Sequence, residues 1–182
     1  SGCFGLGGAK PPAMLFSLSP AQPAPAGSVS SGLPASDALM VMEPETDRRL
    51  AVQRVPVQVN ASSVAYLQNA LWVERPARLM RSLIAETLRA RGGRLVLEDD
   101  QAVPLVAQRL SGRLLDMGYD AQRMAVVVRY DALRSDAKGV LASKRFESVV
   151  PGVPAKPEAV GPALNKAAND VARQIADWVS GG

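Results

Sequence analysis

Apolar positions recur at helical spacing in two stretches of the chain and alternate or cluster in strand-like runs elsewhere. After Pro76, which suits a first helical turn, Leu79, Met80, Leu83, Ile84 and Leu88 form one stripe, with Arg78, Arg81, Glu86 and Arg89 off it. Gly92-Gly93 ends that pattern. Near the end of the chain, Leu164, Ala168, Val171, Ile175 and Trp178 are spaced four and three apart, with Lys166, Asp170, Arg173 and Asp177 between them. Both stretches are predicted to be amphipathic helices.

The rest reads as strands and turns. Met14-Leu15-Phe16-Ser17-Leu18 and Leu39-Met40-Val41-Met42 are short apolar runs stopped by Pro20 and Pro44. From Arg54 to Asn60, Val55, Val57 and Val59 share one face and Pro56 and Gln58 the other. Proline lacks the ladder donor, so this strand is expected at an edge or paired on one side near Pro56. Two short extended pieces flank Gln68-Asn69, and another strand runs from Arg94 to Glu98. Three longer ones, near 107–119, 123–134 and 139–150, are separated by turn residues and predict an antiparallel meander. In the first of these, Leu110 and Leu114 share one parity, and Leu115, Met117 and Tyr119 the other; a β-bulge near Leu114 reconciles them.

These elements predict an α/β (α+β) fold: a two-layer sandwich in which two amphipathic helices pack on one face of a mostly antiparallel sheet. Residues 1–13 read as a tether and 14–180 as a single domain with a Pro/Ala-rich surface loop at about 19–37. At 182 residues the chain has room for one such core. Hydrophobic residues make up 47% but aromatic ones only 4%, so the core must be aliphatic.

Charge and chemistry narrow the function classes. The net charge of +4 is spread along the chain, with no Lys/Arg run longer than a pair, which argues against nucleic acid and suits a solvated or membrane-facing surface. No run approaches the apolar length of a bilayer span. With no histidine, the commonest general base and metal ligand are missing. The single cysteine forms no internal disulfide or thiolate cluster. The expectation is a non-enzyme without metal or cofactor. Glu98-Asp99-Asp100 lacks the spaced oxygens and turn glycine of a calcium loop and reads as a solvated turn. Trp72 and Trp178 have two readings, core packing or the lining of an apolar groove.

The chain opens Ser1-Gly2-Cys3, followed by the glycine-rich Phe4-Gly5-Leu6-Gly7-Gly8. A small pair directly before a cysteine resembles the end of a bacterial lipobox, which implies a covalent lipid on Cys3. A glycine-rich terminus is a poor place to bury a thiol, and several acyl chains bury enough methylenes to hold a protein at a bilayer. The other reading is an idle cysteine.

The order of these features resembles the ABC-type transport auxiliary lipoprotein family, whose members accompany Mce-type lipid transporters. The resemblance rests on Cys3, on Phe16-Ser17-Leu18 where the family tends to have Tyr-x-Leu, and on Ala65-Tyr66-Leu67 followed by Trp72 and Pro76. It continues in Arg145-Phe146-Glu147, in Ala163-Leu164-Asn165-Lys166-Ala167 and in Trp178. The departures are Phe16 itself and a longer Pro/Ala-rich insert after Leu18. The resemblance implies a periplasmic protein anchored by its acyl chains. Its partners would be an Mce-domain substrate-binding protein, a permease and an ATPase, with room for a homo-oligomer. Phe4, where aspartate would signal inner-membrane retention in enteric bacteria, favours the outer membrane. Tyr66, Trp72, Phe146 and Trp178 are the candidates for an apolar or partner surface. An outer-membrane assembly lipoprotein or a general lipid-binding module is the alternative function.

Overall fold

The computed structural model describes residues 12–101 and 106–181. Among these residues nine strands and two α-helices, besides a 3-10 turn at Ala35–Asp37, follow in the order β1 (Met14–Phe16), β2 (Leu39–Val41), β3 (Pro56–Asn60), β4 (Ser63–Tyr66), β5 (Ala70–Trp72), α1 (Pro76–Arg91), β6 (Val96–Glu98), β7 (Gln108–Asp120), β8 (Ala125–Ser135), β9 (Leu141–Val150) and α2 (Pro157–Gly181).

The long strand β7 organises the main sheet. One edge pairs with β8 along its whole length, and β9 continues the meander outside β8, both antiparallel. The other edge is shared by two short parallel strands, β2 against the start of β7 and β3 against its end. Between them lies a single bridge from Glu45 to Arg113. β6 lies parallel outside β2, and β4 antiparallel outside β3. The sheet has seven strands, antiparallel over most of its paired length, and β1 with β5 forms a separate two-stranded parallel ribbon. Periodicity places strands but not the parallel pairings, because β2 with β6 and β7, β3 with β7, and β1 with β5 all join strands distant in sequence.

The expected bulge is present: the β7–β8 register shifts between Leu114 and Asp116. Leu110 and Leu114 before it, and Met117 and Tyr119 after it, are therefore all buried. β3 departs from simple alternation. At Pro56 the strand is registered only with Tyr66, and pairing to β7 begins at Val57. The missing proline donor is thus not needed there. Val59 is 43% exposed, because the strand is already leaving the sheet for its turn.

α1 lies over β2 and β6, α2 lies over β7, β8 and β9, and the helices touch each other. Residues directly opposite in an antiparallel pair share a face. Leu114, Tyr130 and Phe146, and likewise Tyr119 and Val126, therefore point together toward the helices into one aliphatic core. α2 brings Val160, Leu164, Ala167, Ala168, Val171 and Ile175 to that core, and its many alanines let helix and sheet approach closely.

The Pro/Ala-rich segment is a strap across the helix layer. The Asn169 side chain acts as a short strand partner, with Nδ2 donating to the Ser19 carbonyl at 2.9 Å and Oδ1 accepting from the Ala21 N–H at 2.8 Å. Asn165 Oδ1 accepts from the Ser19 N–H at 2.9 Å, and Glu86 Oε1 from the Ala24 N–H at 2.8 Å. A segment too poor in apolar groups to order itself is fixed by side chains of both helices.

Candidate interaction surfaces

Because side chains alternate along a strand, Asp116, Arg129 and Glu147 face away from the helices, as do Arg113, Asp131 and Arg145. They interlock across strands. Arg129 donates to Asp116 at 2.7 Å and to Glu147 at 2.6 Å, and Arg49 donates to Asp116 at 3.0 Å. Arg49 also reaches the Leu115 carbonyl at 2.5 Å, so the carbonyl of the bulged residue has a partner. A second set joins Arg145 to Asp131 at 2.6 Å, and Glu45 holds Arg113 at 3.2 Å. Where β3 meets β7 and β8, Arg49, Gln58, Asp116, Asp120, Arg123 and Arg129 are among the residues lining an open cleft of about 270 Å³. Both signs of charge alternate there, and the arrangement suits a polar protein contact better than a free anion.

The hydrogen bond from Arg145, helped by the charges of Arg129 and Arg113, holds the Asp131 carboxyl below its usual range. Partial burial alone would raise Asp170, but hydrogen bonds from Arg173, Ser148 and Gln174 lower it. A depressed folded-state value contributes stability above the unfolded value, and that share is lost as pH falls through the folded one. We expect melting temperature to fall with acid below the ordinary carboxyl value of 3.8. The doubly substituted Asp131→Asn, Asp170→Asn protein should show a shallower fall; an unchanged slope would remove these two groups from the account.

The acidic run expected as a solvated turn does something else. Glu98, Asp99 and Asp100 surround Arg81, which is only 4% exposed despite lying off the predicted apolar stripe. Its Nη1 donates to Asp99 at 2.6 Å and its Nη2 to Asp100 at 3.1 Å, and Nε lies 3.4 Å from Glu98. Among the described residues, no group of three or more Cys, Asp or Glu side chains is arranged to hold a metal ion.

The four aromatic candidates do not form one surface. Trp72 is buried against Phe16, with ring centroids 5.6 Å apart and edge to face. Phe146 is buried on the helix side of β9, where Trp178 covers its edge at 5.7 Å and remains half-buried at the rim. Tyr66 is half-buried beneath the Arg54 guanidinium, 4.4 Å above its ring. The exposed aliphatic groups lie elsewhere. On the β1–β5 ribbon, the register partners Leu15 and Leu71 stand outward, with Leu15 64% exposed. Cys3 and Phe4 fall outside the described residues. Neither the Arg49–Asp116–Arg129 network nor the burial of Arg81 has a signal in the local sequence pattern. For Asn165 and Asn169, the only signal was a polar amide on the otherwise apolar approach of α2.

No helix among the described residues is long and apolar enough to cross a membrane. A family model described as "ABC-type transport auxiliary lipoprotein component" matches residues 16–176. No curated protein matches the chain. Among solved structures, protein XCC0632 from Xanthomonas campestris superposes with a TM-score of 0.76 at 16% identity, covering 92% of this chain and 94% of that one. The crystal structure of an uncharacterized protein gives 0.71 at 15% identity, over 93% and 99%. At such identities the two structures speak for the fold.

Proposed function

The chain belongs to the ABC-type transport auxiliary lipoprotein family, and from that premise we propose that it is a non-catalytic accessory of an Mce-type ABC transporter. In this reading it is held to the periplasmic face of the outer membrane by acyl chains on Cys3 and assists the passage of phospholipid or another apolar substrate. The family match is the observation that carries the reading. It is supported by the lipobox-like Ser1-Gly2-Cys3 shortly before β1. The ten residues between Cys3 and Met14 give a tether of at most about 35–40 Å. Phe16, packed on Trp72 and on α2, is where pull on that tether would meet the folded domain. The partners are the Mce-domain protein, the permease and the ATPase, and the polar outer face of the sheet is the surface offered to them.

Cys3→Ser in the full-length precursor is expected to abolish labelling by radioactive palmitate and to release the domain into the soluble periplasmic fraction. Labelling that persists would refute the anchor. Recovery of the Mce subunit with the tagged protein supports the transporter assignment. Recovery of a β-barrel assembly protein in its place would move the chain to the alternative, an outer-membrane assembly lipoprotein.

A further inference from the structure

The β8–β9 hairpin ends in an apolar tip ringed by cations. Val140 and Leu141 are 61% and 64% exposed, and Leu133 stands outward beside them. Every residue from 137 to 145 is exposed, in a sheet whose other long strands are largely covered. A tight turn holds the tip in shape, because the Asp136 carboxylate accepts the N–H groups of Lys138 and Val140 at 2.8 and 2.9 Å. The two adjacent aliphatic side chains are thus presented on a structured projection.

The charges around the tip are unbalanced. Lys138 lies in the turn, Lys144 on β9, Arg134 at the end of β8 and Arg109 on β7 opposite Ser135. None of these four is in an ion pair among the described residues. The nearby carboxylates are already engaged: Asp136 within the turn, Asp131 with Arg145, and Asp177 with Arg91 and Arg173. On the helix side the half-buried Trp178 lies at the same end, beside Lys144 and Phe146. An indole at a polar rim, two aliphatic side chains beyond it and cations outside any ion pair, of which Lys144 lies 5.4 Å over the Phe146 ring, are the components of an interfacial membrane contact.

We propose that this hairpin tip is a second membrane contact, in which Val140 and Leu141 enter the headgroup region of an anionic phospholipid surface and Lys138, Lys144, Arg134 and Arg109 pair with its phosphates. A convex knob without a groove favours a bilayer over a protein, because a deformable interface accepts a projection that a protein would have to match with a pocket. The tip lies at the far end of β8 from the start of α2, where Gly161 meets Phe16 of β1. β8 is about 35 Å long at strand rise. With the domain upright on its tip the tether of about 35–40 Å would have to be almost fully extended, so a tip contact together with an anchor on Cys3 favours tilting the long axis of the domain toward the membrane plane. That orientation rests on the anchor reading, whereas the tip contact does not.

The test uses the full chain carrying Cys3→Ser, so that no acyl chain contributes. Co-sedimentation is measured with vesicles of phosphatidylethanolamine containing phosphatidylglycerol, and with vesicles of phosphatidylcholine alone. Binding to the anionic vesicles alone, weakening as salt is raised, is expected. Lys138→Glu with Lys144→Glu should weaken it by roughly tenfold or more, given the attraction of each cation near an anionic surface. Val140→Asp with Leu141→Asp should abolish it, and far-UV circular dichroism and melting temperature confirm that these exposed variants stay folded. Absence of binding to the anionic vesicles overturns the proposal, as does binding that both tip variants leave intact. Tip variants that lose recovery of the Mce subunit, in a protein that never binds vesicles, would assign the same tip to an acidic protein partner. Because the anchor is absent throughout, none of these results bears on palmitate labelling at Cys3.

Discussion

Replacing Trp72 with alanine is expected to lower the free energy of unfolding by about 3–5 kcal/mol, the usual cost of truncating a fully buried large aromatic side chain. Trp72 is 1% exposed and is one of the largest fully buried side chains. It joins three parts of the fold. Its ring packs edge to face on Phe16, its backbone N–H donates to the Gln53 carbonyl at 2.9 Å, and it is the register partner of Phe16 in the β1–β5 ribbon. Phe16 in turn lies against Gly161 of α2, where an added Cβ would come within 2.9 Å of the ring. The first strand is therefore wedged between β5 and α2, and a cavity at Trp72 would loosen it. The indole Nε1 has no hydrogen-bond partner, so Trp72→Phe removes volume without breaking a bond and should cost much less than Trp72→Ala. Urea unfolding of the two variants checks the order, and limited proteolysis between β1 and β2 reports the loosening. An alanine variant within about 1 kcal/mol of the parent would show that the ribbon is not held by packing.

The elements that the sequence made legible are those with strong local periodicity. α1 and α2 follow from their apolar stripes, and the meander β7–β8–β9 follows from alternation with turn residues between. The bulge could be placed because a parity change on a buried face has few other solutions. Pairings between distant short strands left no local trace. β2, β3 and β6 join the sheet through contacts that neither alternation nor turn chemistry encodes. The strap illustrates the same limit: its composition shows that it cannot order itself but says nothing of Asn165, Asn169 and Glu86, which order it from outside. Charges were the least legible. Arg81 lies off the apolar stripe of α1, where solvent is the expected environment, yet a guanidinium can be buried when carboxylates supplied by the next strand and the turn after it close around it.

That arrangement makes Arg81 the charged residue with the largest expected effect. Burial works against its charge, but the hydrogen bond with Asp99 and the charges of Asp100, Asp99 and Glu98 outweigh it, and the guanidinium is stabilised in its charged form. Arg81→Met preserves much of the stem volume and leaves three carboxylates facing one another at the end of β6. Removing one partner of a fully buried ion pair typically costs about 3–5 kcal/mol; here the expected cost lies at or below the lower end of that range, because Glu98 keeps Arg89 and Asp100 keeps Arg78, and it is Asp99 that loses its cation. Exposed pairs such as Arg173 with Asp170 should cost no more than about 1 kcal/mol when broken. The damage would spread to β2, since Asp99 Oδ2 also accepts the Glu43 N–H at 2.8 Å just beyond that strand. Arg81→Lys should recover only part of the loss, because a single ammonium cannot meet Asp99 and Asp100 with the separate nitrogens that Arg81 uses. Adding Asp99→Asn to Arg81→Met removes one uncompensated charge, so the double variant should be more stable than the sum of the two single losses predicts. Urea denaturation of the four proteins in that cycle measures the coupling. Strict additivity would mean that Arg81 acts through the packing of its stem alone, and that the acidic residues around it are incidental to the fold.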